Sequence, residues 1–278
     1  MQDERVTLER MVEHKRRRLA EAKARTPQHE LELLVAQEEP PRNFFRAVTR
    51  RRGFHATSVI AQVMRRSLGN GLLRPEYDGE GYRPADIARR YHAAGASAIA
   101  CVTEEDHHGG RLDDIRAVKE AVHLPVMRWD VIVDPWQLWE SRAAGADAVL
   151  LIADILREGE LVDLLILAQQ LQMTTLLEVH DVESLLRVRP HYGFPHRSYA
   201  LLAIDNRDPT TMKEDLRTTL RLADLVEDRA TLVSEAAVHD RDDLLKLRGV
   251  GVRIVLVGEH LLRSDDPGFA LRQLLGSD

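Results

Sequence analysis

The chain is poor in the residues that would commit it to several common protein classes. Among 278 residues there is one cysteine, Cys101, so an internal disulfide and a CxxC metal pair are both excluded. A reducing, cytoplasmic setting is the natural reading of such sparing use. No apolar run approaches the ~18 residues that a membrane-spanning helix needs. The N-terminal stretch MQDERVTLERMVEHKRRR is charged throughout and has no apolar export core. No membrane partner is therefore expected. Aromatic residues are only 5%, so the core must be built from Val, Ile, Leu and Ala, which suits parallel strands buried on both faces. A basic surplus is also missing. The formal net charge is −6, which argues against nucleic acid as a partner.

What the chain does have is aliphatic bulk and rhythm. Hydrophobic residues make up 44%, and the length suits one large domain or two small ones. Leu8, Met11, Val12 and Leu19 recur at roughly helical spacing and predict a helix over 5–24. Shorter helices are predicted over 27–37 and, beyond Pro40-Pro41, over 43–49. Arg50-Arg51-Arg52-Gly53 then reads as solvated surface. From residue 57, apolar runs of strand length alternate with amphipathic stretches. The runs are 58–64, 96–102, 125–130, 147–153, 174–179, 199–205, 230–236 and 253–258. Helices are predicted near 86–94, 112–121, 135–144, 158–171, 181–188, 215–225, 240–248 and 266–275. Eight β-then-α units predict a closed (β/α)8 TIM barrel rather than an open doubly wound sheet. Residues 1–53 form its helical N-terminal extension and 54–278 the barrel, one domain in all. In AAGASAIACV (93–102), AAGADAVLLI (143–152) and GVGVRIVLVG (249–258) a glycine ends a helix in a left-handed cap and a strand follows. Residues 190–198 read as an irregular loop on the N-terminal face, with no assigned role.

The active site of a βα barrel lies at the C-terminal ends of its strands. Glu178 emerges there from an apolar run, where a carboxylate can have a raised pKa and act as a general base; the alternative is a salt bridge or a cap for the helix near Asp181. Arg207 could bind an anion or pair with Asp205 or Asp208. Gly258 and Glu259 open a short helix, GEHLLR, and barrels often place phosphate after strands seven and eight. His107-His108, followed by Gly109-Gly110, lie in a long loop, and two neighbouring histidines make no metal site without further ligands. Trp129, at the mouth of the third strand, could stack on a ring or plug the pocket.

These residues sit within a longer series: VEHKRRRLAEAK (12–23), RNFFRAV (42–48), LDDIRAVKEAVHLPVMR (112–128), DPWQLWESRAAGADAVLLI (134–152), LLEVHD (176–181), NRD (206–208), LVSEA (232–236) and VGEHLLRSDDPG (257–268). Their number and order resemble the indole-3-glycerol phosphate synthase family over almost the whole chain. The resemblance implies a barrel enzyme of tryptophan biosynthesis that closes an indole ring on an anthranilate-derived ribulose phosphate. Carbon dioxide and water are lost, and neither metal nor organic cofactor is used.

By the same resemblance, Glu178 matches the family's general base, and Arg65, Ser67, Arg207, Glu235 and Gly258 match further site positions. Departures fall on the active site. Gln62 and Met64 stand where the family has E-x-K, Trp129 stands at the lysine that serves as general acid, and His107-His108 replace paired phenylalanines. Asp205 takes an asparagine's place, and Ala236-Ala237 the Ser-Gly of the phosphate turn. Without either lysine, the family reaction on the family substrate is expected to be very slow or absent, because a positioned general acid contributes roughly 10²–10⁴-fold. The leading expectation is a diverged lyase or cyclase acting on a phosphorylated, aryl-amino sugar-like small molecule. Glu178, His107, His108 and Asp205 would be its catalytic set, with Arg65, Ser67, Trp129, Arg207, Glu235, Ala236, Ala237, Gly258 and Glu259 binding substrate. The alternatives are a non-catalytic ligand- or partner-binding barrel and a synthase with a rearranged general acid. A monomer or homodimer is expected.

Overall fold

In the computed structural model, residues 7–50, 56–68 and 70–276 are described. The expected boundary at 53/54 and the basic residues Arg51 and Arg52 lie outside them, whereas Arg50 is exposed. Eight parallel strands close a barrel: β1 (Ser58–Val63), β4 (Ala98–Val102), β5 (Val126–Trp129), β6 (Ala148–Ile152), β7 (Thr174–Val179), β8 (Ala200–Asp205), β9 (Leu232–Glu235) and β10 (Ile254–Val257). Between β1 and β4 lies a small hairpin, β2 (Arg66–Ser67) with β3 (Gly71–Leu72), too short to leave a periodic signal in sequence. The (β/α)8 barrel expected from sequence is thus the observed fold.

Strand and helix positions agree with the sequence pattern to within a few residues, and the differences have local causes. The run expected as strand over 230–236 shortens to Leu232–Glu235. Arg229–Thr231 instead forms a 3-10 turn capped by the Asp228 side chain. The helix expected over 215–225 is α-helical only over Arg217–Leu222 and tightens to 3-10 geometry over Ala223–Leu225. Gly95, Gly145 and Gly251 all have positive φ, as the repeated helix-to-strand turns require.

Alternation along the strands divides the core in two. One set of side chains packs outward under the helices, among them Val59, Ile99, Val149, Leu177, Ile204 and Val255. The other fills the barrel: Ile60, Ala98, Ala100, Met127, Leu150, Leu176, Leu201, Ala203, Val233 and Leu256. Phe44 and Val48 of the third N-terminal helix (Phe44–Thr49) join this inner set and close one end of it.

The first helix, α1 (Leu8–Arg25), lies over the other end. Thr7 caps it, accepting from Arg10 N, and Met11 is its buried residue. Its cations reach the loops after the strands: Lys15 Nζ is 2.6 Å from Asp130 Oδ1, Arg18 pairs with Glu105 and Asp106, and Lys23 Nζ is 2.6 Å from Asp134 Oδ2. Among the described residues no helix is long and apolar enough to cross a membrane.

Candidate active site

The inward row of each strand is apolar below and polar above. On β7, Leu176 is followed on the same face by Glu178 and, one residue past the strand's end, by His180; on β8, Ala203 by Asp205; on β9, Val233 by Glu235. Register sets Asp205 directly beside Glu235. These tops line a cavity of about 360 Å³, completed by Gln62, Met64, His108, Trp129, Arg207 and Gly258, and roofed by Leu8 and Met11 of α1.

Glu178 is 2% exposed, and one of its oxygens, Oε2, has no hydrogen-bond partner. Burial pushes its carboxyl up to about 7, with Asp205 adding to the rise and His180 opposing it. Glu235 is also buried with an unpartnered Oε2, and burial together with Glu178 and Asp205 pushes it well above the usual carboxylate range. Two buried carboxyls so close together cannot both ionise readily.

His180 stands among the carboxylates. Its Nδ1 lies 2.8 Å from Asp154 Oδ2, and its Nε2 lies 3.4 Å from Glu178 Oε1 and 3.6 Å from Asp205 Oδ2. Burial would lower its pKa, but hydrogen bonds to Asp154 and Asp205 and the charge of Glu178 outweigh it and raise the imidazolium to about 11. The donor atoms of Glu178, His180 and Asp205 all lie within 4.8 Å of one another, so this trio could also hold a metal ion. No metal is expected from the sequence, and His180 is not among the site residues expected from it. The alternation that points Glu178 inward, carried one residue past the end of β7, points His180 inward as well.

The residues expected from sequence divide into two groups. Glu178, Asp205, His108, Trp129, Arg207, Glu235, Ala236, Ala237, Gly258 and Glu259 line the cavity. Trp129 does not plug it. Its indole Nε1–H donates to Glu235 Oε1 at 3.0 Å, and the edge of its ring meets His108 at 5.2 Å between centroids. His108 is buried and held at Nδ1 by Glu104 Oε2, 2.9 Å away. The same carboxylate accepts the backbone N–H groups of His107 and His108, which fixes the turn that carries both.

His107, Arg65 and Ser67 are not among the lining residues. His107 stacks instead on His14 of α1, with centroids 5.7 Å apart. Arg65 donates from Nε to Tyr77 O at 2.6 Å. Ser67 is buried in the short hairpin. The alternative role weighed for Glu178, capping the next helix, falls to Asp181, whose Oδ1 accepts from Ser184 N at 2.8 Å.

Arg207 pairs with neither the Asp205 nor the Asp208 side chain expected for it. Its guanidinium meets Glu214 and, at 3.5 Å, Glu259; only its backbone N–H reaches Asp205. Gly258 caps the short helix Glu259–Leu262 as expected. Gln62 packs closely on it: a Cβ there would lie 2.2 Å from Gln62 Oε1 and 2.8 Å from Gln62 Cβ, so a larger residue would require Gln62 to shift.

A parallel barrel with a carboxylate-lined cavity at the C-terminal ends of its strands belongs to the large class of (β/α)8 folds that carry their sites on the strand tops. Solved structures of that architecture match: 3-hexulose-6-phosphate synthase from Salmonella typhimurium (TM-score 0.60, 15% identity, 79% of this chain and 97% of that one) and orotidine 5'-phosphate decarboxylase from Pyrococcus horikoshii (TM-score 0.57, 13% identity, 78% and 97%). At such identity they show the fold alone. Sequence likeness goes further. The family model for indole-3-glycerol phosphate synthase matches residues 8–274. Indole-3-glycerol phosphate synthase of Acidithiobacillus ferrooxidans is 37% identical over 267 residues (96% of this chain, 97% of the relative), and that of Rhodospirillum rubrum 36% over 261 residues (94% and 95%). The chain belongs to the indole-3-glycerol phosphate synthase family.

Proposed function

We propose that this chain is a carbon–carbon lyase of the indole-3-glycerol phosphate synthase type, closing a ring on an aryl-amino sugar-like substrate with Glu178 as general base and His180 as the cationic proton donor. The observation that carries this reading is the Glu178–His180 pair at the cavity, 3.4 Å apart, with the carboxyl raised to about 7 and the imidazolium to about 11. A base with a pKa near the working pH is the efficient choice. An imidazolium held at about 11 resembles in acidity an ordinary lysine ammonium, which titrates near ~10.4. His180 can therefore supply the charge that the resemblance assigns to a lysine at the position of Trp129, whose indole N–H has no proton to give at useful acidity.

The chemistry needs both partners. Attack of an arene carbon on a sugar carbonyl requires a proton on that carbonyl oxygen. Loss of carbon dioxide returns the electron pair to the ring. Loss of water then requires a second protonation and removal of a proton by a base. Asp154 and Asp205 keep the imidazole charged, and His108 borders the same cavity. The non-catalytic reading would be favoured by a mouth filled by Met64 and Trp129; the open cavity beside them favours the enzyme.

The test is an indole-fluorescence assay with carboxyphenylamino-deoxyribulose and its 5-phosphate. Turnover by the wild type that falls by at least about 10²-fold in both Glu178→Gln and His180→Gln supports the reading. Equal rates in the wild type and both variants would sink it.

A further inference from the structure

Beside the tops of β8 and β9, where Arg207 and Ala237 border the cavity, several donors converge on one carboxylate. Ala236 and Ala237 are consecutive residues with φ of 59° and 55°. Left-handed backbone is costly for residues with a Cβ, so two such residues in succession mark a turn that the surrounding structure holds in place. The Ala236 N–H is taken by Leu256 O at 3.3 Å, whereas the Ala237 N–H donates to Glu214 Oε2 at 3.2 Å. His239 Nε2 lies 3.3 Å from that same oxygen, and the Arg207 guanidinium binds the other. One backbone amide, one guanidinium and one imidazole thus converge on a single carboxylate.

Glu214 is held there by its backbone. Residues 207–214 double back, with Arg207 and Glu214 forming an antiparallel bridge, Asp208 N donating to Lys213 O at 2.9 Å and Asp215 N to Asn206 O at 2.8 Å. The other arginine lining the cavity, Arg263, is paired as well: its Nε is 2.9 Å from Glu259 Oε1. Both arginines among the described lining residues therefore already face a carboxylate, in a cavity whose other ionisable carboxyls are Glu178, Asp205 and Glu235. A dianion entering here would have to displace Glu214 and meet Glu259. Like-charge contacts of that kind strongly disfavour a ligand.

We propose that Glu214 is a resident anion that fills the cradle of Arg207, Ala237 N–H and His239, so that the chain selects a substrate whose end at this place is an uncharged hydroxyl rather than a phosphate ester. This deepens the substrate class proposed above, but it rests on the cradle alone and requires no turnover.

The experiment is titration of the full chain with inorganic phosphate at constant ionic strength, read from the amide resonance of Ala237 and the side-chain Nε–H of Arg207, in the wild type, Glu214→Gln and Glu214→Ala. Both variants are expected to bind phosphate at least about tenfold more tightly than the wild type. The gain should disappear when Arg207→Ala is added to Glu214→Ala. The Gln variant keeps the shape of the side chain, and a native-like amide spectrum shows that it folds. Phosphate binding by the wild type that is as tight as in the variants, or variants that gain none, would overturn the assignment. A gain of phosphate binding without any lyase activity would leave this assignment standing and count against the catalytic proposal only.

Discussion

Trp129 and Glu235 are joined across the barrel mouth by a hydrogen bond of 3.0 Å from the indole Nε1 to Oε1. The bond gives one oxygen of a buried carboxyl a donor, while the other oxygen, Oε2, has no partner among the described residues. Trp129 thus works on the protein's side of the cavity, setting the orientation of Glu235. Replacing it by Phe removes the donor and keeps most of the ring. The expected cost is about 1–3 kcal/mol of stability, the usual penalty for stranding a buried polar group. Chemical denaturation of Trp129→Phe checks it, with Trp129→Phe/Glu235→Gln recovering part of the loss.

The pH profile carries a second expectation. Glu178 must be ionised to accept a proton, and its carboxyl is raised to about 7, chiefly by burial. Activity should therefore rise with pH up to about 7 and then level, since His180 stays protonated until about 11. Asp205 raises Glu178 and His180 lowers it. Asp205→Asn should move the acid limb to lower pH, and His180→Gln should move the limb of any residual rate to higher pH. Limbs that stay fixed in both variants would remove the electrostatic link.

A third expectation concerns the roof of the cavity. Asp130 is fully buried, and burial alone would raise its pKa; Lys15 and Arg128 outweigh it and hold the carboxyl far below its usual range. Lys15→Met keeps the aliphatic stem but breaks the 2.6 Å contact between α1 and the barrel. We expect a loss of about 1.5–3 kcal/mol, the range for a hydrogen bond to a charged group. Hydrogen exchange should speed up over Leu8–Arg25 with little change in the strands.

Most of the barrel was legible because its strands are buried on both faces and punctuated by glycine at Gly95, Gly145 and Gly251. The site was legible only in part. Glu178, Asp205 and Glu235 stand at the ends of apolar runs, where barrel geometry directs attention. His180 was within reach of the same alternation but lies one residue beyond the strand, where the apolar pattern stops. Glu214 left no trace. It reaches Ala237 through an irregular loop, and no periodicity links residues 23 positions apart in a chain. Nor does sequence show that His107 stacks on His14 while its neighbour His108 meets Trp129, because that division depends on where α1 docks.

Whether Glu178 and His180 form a proton-ready pair is read from an NMR titration following the imidazole ¹⁵N signals of His180 and the side-chain carboxyl ¹³C signal of Glu178. His180 is expected to remain doubly protonated across neutral pH, with Nδ1 bonded to Asp154, while Glu178 titrates at about 7. A neutral imidazole at pH 7.5, with Glu178 titrating at the ordinary carboxylate value of about 4.3, would contradict it.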